Sequence, residues 1–223
     1  MKPHKEEFQI ERIAFFSDAV FAIAITLLII EIKVPEVHNN GESPELQLIE
    51  SLLNETLEKL IGFVVSFYVI GLYWMVHHRL FNYIIHYNRK LMSTNLTFLL
   101  SIVIMPFSTA FLSDYYIIHP HVPLAFYTLN ICFTGYMSYR LWKLVSDAKN
   151  NLSEGLDNKI LLRYNTLRAF TIPSIFIIAL IVSFINPLIA YFALPLLPFV
   201  SFFINKYYKK KYPELMKEHL AQA

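Results

Sequence analysis

Stretches of about twenty mostly apolar residues recur along this chain, and the first of them contains an aspartate. A membrane-spanning helix needs ~20 such residues. Six windows meet that length: about 13–34, 57–76, 91–112, 123–144, 166–185 and 187–205. Hydrophobic residues make up 56% of the chain and charged residues 16%, where a soluble domain holds ~45–50% and ~25%. The mean hydropathy is +0.45. The expected fold class is therefore all-α: a polytopic membrane protein with six transmembrane helices, forming a single domain over 1–223. Five glycines leave no room for a long flexible linker.

Charge sets the expected orientation, because Lys and Arg collect on the cytoplasmic side. Of the 19 basic residues, 17 fall in the N-terminus, the second-to-third link, the fourth-to-fifth region and the C-terminal tail. Only Lys33 and Lys59 fall on the other side. Six crossings with both termini cytoplasmic follow. The outer segment 35–56 is acidic, and Ser43-Pro44-Glu45 predicts a helix start with Ser as N-cap. Pro106 and Pro173 should kink the third and fifth spans; Pro195 and Pro198 make the sixth the weakest. The polar, mixed-charge N-terminus lacks the marks of a cleaved signal peptide. Cys132, alone in an apolar run, reads as a small buried hydrophobe.

An ionised Asp costs ~2.5–3.5 kcal/mol at the centre of a membrane helix and less near its edge. Asp18 must face protein or a wet cavity. It lies about six residues from the inner end of the first span, Trp74 about five from Arg79, and Asn95 about five from Lys90. At 1.5 Å per residue these depths agree within about one turn. Trp74, His77 and His78 follow at i, i+3, i+4 and share a helix face. Asp18 has Ser17, Trp74, Asn95 or a histidine as candidate donors. Two readings stay open: a hydrogen-bonded cluster locking three helices together, or a proton or ion site. The second gives an alternative function, a proton-coupled secondary transporter using Asp18 and a helix-two histidine. No metal site is expected, since adjacent His77 and His78 diverge and His86 is too far along.

Ile23, Leu27 and Ile30 recur at i, i+4, i+7 on the same helix, with Thr26 beside them. Asp18 projects to roughly the opposite side. Periodicity alone does not separate a lipid-facing stripe from a packed or pore-lining one. Thr134-Gly135-Tyr136 matches part of the TVGYG filter of potassium channels but lacks its second glycine and sits within a continuous helical run. No P-loop, dinucleotide turn or nucleophile elbow is found, so an enzyme is not expected. The basic tail from Asn205 to Lys217 reads as an anionic-lipid contact rather than a nucleic-acid one.

The opening Arg12-x-x-x-Phe16-Ser17-Asp18 resembles the signature of the endolysosomal potassium channel family, also called the transmembrane protein 175 family. Ile23, Thr26, Leu27 and Ile30 follow it at the family's spacing. Trp74-x-x-His77-His78, Asn95 and Pro106-Phe107 extend the likeness to the next two helices. A single six-helix unit looks like the prokaryotic branch, in a multi-pass cell-membrane setting. The resemblance implies a homotetramer whose first helices surround a central pore. It implies a cation channel preferring potassium over sodium, with potassium and other monovalent cations as permeants and no cofactor. It implies that Ile23 forms the tightest ring, that Leu27 and Ile30 continue the lining, and that Thr26 is tied to selectivity. Arg12, Phe16, Ser17 and Asp18 would brace the pore helix against Trp74, His77 or His78, and Asn95.

Overall fold

The structure, a computed structural model, describes residues 3–34, 43–116, 119–156, 158–191 and 196–221. These are almost wholly helical. Helix α1 covers Pro3–Ile30, α2 Pro44–Ser51, α3 Leu57–Phe81, α4 Arg89–Val103 and α5 Met105–Tyr115. Then follow α6 (His121–Ser146), α7 (Lys159–Ser183), α8 (Pro187–Tyr191), α9 (Leu196–Lys211) and α10 (Pro213–Ala221). Single turns, π-helical at Leu52–Thr56 and 3-10 at Ala148–Asn150, join some of them.

Local chemistry explains several boundaries. Ser43 accepts from the Leu46 N–H at 3.3 Å and Pro44 opens α2, as its sequence predicts. Asn88 and Asn158 cap α4 and α7, accepting from the Leu91 and Ile160 N–H groups at 2.8 Å each. Pro106 lacks an N–H and sits in the first turn of α5, and the helical run breaks at Ile104. Pro173, by contrast, lies inside α7, which continues through it.

Helices α3 to α7 form the body of the bundle. Helix α6 packs against α4, α5 and most extensively α7; α3 packs on α5; α9 lies on α7. Helix α1 lies across α3, α4 and α5. The core between them holds Phe21, Tyr73, Phe98, Ile102, Tyr127 and Phe176. Gly135 permits the tight α6–α7 approach: a Cβ there would stand 2.5 Å from Pro173 Cγ and 2.7 Å from the Ala169 carbonyl oxygen. The Thr134-Gly135-Tyr136 triplet is thus part of a continuous helix and its glycine serves packing. Ser66 Oγ lies 2.9 Å from the Tyr127 hydroxyl and 2.8 Å from Thr109 Oγ1, tying α3, α5 and α6 inside the bundle. At the basic end, the α3–α4 and α6–α7 linkers meet. The Ile85 N–H donates to the Leu152 carbonyl (2.9 Å), and Ile84 and Ser153 form an isolated antiparallel bridge.

The six-span layout is corrected here. Among the described residues, four helical stretches are long and apolar enough to cross a membrane: Glu6–Ile30, Lys59–Phe81, Arg89–Tyr115 and Lys159–Ser183. The window 123–144 is helical within α6 but too polar to qualify. It carries Thr128, Asn130, Thr134 and Ser138, all buried inside the bundle, where Asn130 donates to Ser108 Oγ at 3.2 Å. A helix that turns its polar residues into the bundle does not need a uniformly apolar sequence. The window 187–205 is divided: Pro187 starts the five-residue α8, and α9 has 16 residues. Residues 192–195, with Pro195, lie outside the described residues. The inference that both termini are cytoplasmic counted six crossings and loses that footing. The chain is an all-α, multi-pass membrane protein with four candidate spans.

Candidate functional site

The site is built on α1, α3 and α4 at the basic end of the bundle. Ser17, Phe21, Ala24 and Leu28 follow at i, i+4, i+7, i+11, and all four are buried. This stripe is the face that α1 turns toward α3 and α4. Its spacing is as regular as that of the Ile23 stripe, but Ser17 and Ala24 are not strongly apolar, so residue type hides it in the sequence.

Two hydrogen-bonded sets hold this face. In the first, Asn95 Nδ2 donates to Ser17 Oγ at 2.9 Å, and Ser17 Oγ donates to the Ile13 carbonyl at 2.8 Å. Asn95 Oδ1 lies 2.8 Å from His77 Nε2. The amide oxygen only accepts, so His77 Nε2 carries the proton and donates. Ser17, His77 and Asn95 are 0%, 3% and 1% exposed, so each bond replaces hydration that burial removes. The His77 ring is stacked on Phe98 (centroids 5.4 Å, planes 5° apart) and on Phe81 (4.5 Å), with Phe21 at 5.5 Å. Aromatic faces fix the ring, and the ring orients the amide.

In the second set, Trp74 Nε1 donates to Asp18 Oδ1 at 2.9 Å. Both partners are less enclosed: Asp18 is half-buried and Trp74 lies on the surface of the bundle. His78 is exposed and packs its ring 5.5 Å from that of Trp74. The two adjacent histidines therefore diverge, His77 into the first set and His78 alongside the second. Arg12 joins neither; its guanidinium lies 6.0 Å from the Phe8 ring, and Phe16 is exposed. A further tie lies toward the start of α1, where Glu6 pairs with His86 of the α3–α4 linker.

Another face of α1 is turned away from the bundle. Ile23, Leu27 and Ile30 are 57%, 41% and 69% exposed. Thr26 is also exposed, and its Oγ1 donates to the Ile23 carbonyl at 2.9 Å. With its proton committed to the backbone, that hydroxyl presents its oxygen lone pairs outward.

The model of the endosomal/lysosomal potassium channel TMEM175 family matches residues 12–106. That stretch runs from Arg12 to Pro106 and contains every residue of both sets. A potassium channel of Chamaesiphon minutus is 34% identical over 188 residues, covering 81% of this chain and 87% of that protein. The chain belongs to the TMEM175 family. A potassium channel of Streptomyces collinus is 41% identical over 104 residues, 47% of this chain and 48% of that one, so this match spans about half of that relative. Among solved structures, the crystal structure of a lysosomal potassium-selective channel TMEM175 homolog from Chamaesiphon minutus superposes with a TM-score of 0.70 at 28% identity. It covers 88% of this chain and 98% of that one. This TMEM175-family chain is thus a prokaryotic multi-pass membrane protein, in a family of ion channels rather than catalytic enzymes.

Proposed function

We propose that this chain forms a homotetrameric, potassium-preferring cation channel whose four copies of α1 surround the pore. The observation that carries this reading is the two-faced α1. One face is fastened to its own bundle through Ser17 and Asp18, and the other leaves Ile23, Leu27 and Ile30 in a row, each more than two-fifths exposed. Four such rows around an axis give stacked apolar rings, with Ile23 nearest the fastened end as the constriction. Ser17, Asp18, Trp74, His77 and Asn95 then serve to hold the pore helix, with His78 packed on Trp74, whereas Arg12 and Phe16, expected to brace it too, take no part in either hydrogen-bonded set.

An isoleucine ring supplies no coordinating oxygen, so a bare ion there loses hydration at great cost. Narrow apolar rings also close by dewetting. Conduction requires the ring to widen until a partly hydrated cation passes. Potassium sheds water more readily than sodium, and the outward lone pairs of Thr26 replace part of what is lost. A moderate rather than strict preference for potassium follows. No cofactor is needed; the partners are the permeant cations, the other three copies and the surrounding lipid.

Potassium flux from proteoliposomes tests this reading. Ile23→Ala and Ile23→Asn are expected to raise flux or change ion preference, and unchanged conduction in both rules out Ile23 as the constriction. Thr26→Ala is expected to reduce the preference for potassium over sodium; full retention removes Thr26 from the mechanism. The proton-coupled transporter alternative requires Asp18 to exchange protons with a histidine of α3. Asp18 instead bonds Trp74, and His77 bonds Asn95. Saturable, pH-driven uptake that disappears in Asp18→Asn would restore that alternative.

A further inference from the structure

Where α4 begins and α6 ends, the bundle surface opens into a cleft of about 410 Å³. Lys90, Arg140 and Lys143 line it, with Tyr136, Tyr139 and a single carboxylate, Asp147. None of the three cations takes part in an ion pair among the described residues. Asp147 is occupied capping the following turn, accepting from the Lys149 N–H at 3.1 Å. Arg140 and Lys143 lie over the rings of Tyr136 and Tyr139 at 5.9 and 5.8 Å, which orders both long side chains along the cleft wall. Lys90 stands in the first turn of a membrane-length stretch, Arg89–Tyr115, and so at interface depth.

A second groove adjoins the first around α4. It runs from Arg89, at the interface, along Met92, Leu96 and Leu100, all exposed, with Ser93 and Thr97 on its edge. At about 100° per residue, Ser93 and Thr97 fall between the apolar row and Lys90. One helix thus presents a basic pocket at the interface and, beside it, an apolar track leading into the membrane. A soluble anion uses only the first of these. A phospholipid uses both.

We propose that this paired cleft is a lipid site: the phosphate of an anionic phospholipid sits between Lys90, Arg140 and Lys143, and an acyl chain follows the α4 track. Basic pockets between membrane helices bind such headgroups, and each Lys or Arg near the surface contributes about fivefold in affinity. The site is separate from α1 and does not depend on the channel reading.

Native mass spectrometry of the full chain, purified and reloaded with dioleoyl phosphatidylglycerol or phosphatidylcholine, tests the proposal. Phosphatidylglycerol is expected to be retained in preference to phosphatidylcholine, at one tightly held molecule per chain. Lys143→Gln should weaken retention about fivefold and the triple variant Lys90→Gln/Arg140→Gln/Lys143→Gln about a hundredfold. Replacing the same number of charges in the tail, Lys209→Gln/Lys210→Gln/Lys211→Gln, should leave the bound lipid in place. Equal retention of both lipids, wild-type retention in the triple variant, or equal loss in the tail variant overturns the proposal. Displacement of the lipid by millimolar inorganic phosphate would make the ligand a soluble anion and overturn the lipid assignment.

Discussion

Asn95 is the hinge-pin of the first hydrogen-bonded set, because its amide serves α1 and α3 at once. Asn95→Leu strands the His77 N–H and leaves Ser17 without its donor in a dry site. In water-soluble proteins a stranded buried group costs ~1–3 kcal/mol, but polar pairs between membrane helices average ~0.6 kcal/mol. The expected loss is about 1 kcal/mol, read as a lowered Tm in detergent. Trp74→Phe should cost less, since half-buried Asp18 regains water; an equal loss in both variants would contradict this ranking. The depth rule brought Asp18, Trp74 and Asn95 to one layer from sequence. It did not divide the layer into two sets or choose between the histidines. Both depend on side-chain rotation about α3, which spacing along the chain leaves open.

Among the elements, the α6–α7 pair is the most exacting contact. Gly135→Ala places a methyl against the Ala169 carbonyl, a backbone atom with nowhere to go, and against Pro173. The helices must separate, at a cost of ~1–3 kcal/mol. Gly62→Ala meets the Ser113 hydroxyl, which rotates aside, and should be milder. Gly71 has open space around its Cβ position, so Gly71→Ala is expected to be neutral or to raise Tm through helix propensity, worth up to ~1 kcal/mol. Thermal unfolding of the three variants checks the order. The misjudged spans belong to this scale as well. Counting apolar residues reads α6 as one more lipid-facing rod, whereas its Thr128, Asn130, Thr134 and Ser138 are buried inside the bundle, where Asn130 bonds Ser108 of α5 and Thr134 bonds its own helix. A count of apolar residues registers how long a greasy run is, not which neighbours surround it. At α2, by contrast, Ser43 and Pro44 act within one turn, and the local pattern sufficed.

For the whole molecule, the channel reading requires four copies. Native mass measurement is expected to give four times the 26.1 kDa chain, and single-channel recording with ion substitution a moderate potassium preference. A monomer or dimer that still conducts would contradict the arrangement around α1. Hydrogen bonds hold α1 near Ser17 while apolar contacts alone, from Phe21 to Leu28, hold it beyond, so the bonded end would act as the fulcrum of a lever. Any tilt about that fulcrum moves a point in proportion to its distance along the rod, so Ile30, thirteen residues away, sweeps about twice the arc of Ile23, six residues away. On the channel reading, the narrowest ring would sit where leaning achieves least. Twisting the rod about its own axis swings every side chain through the same angle, and would be the more effective way to clear Ile23 from the path.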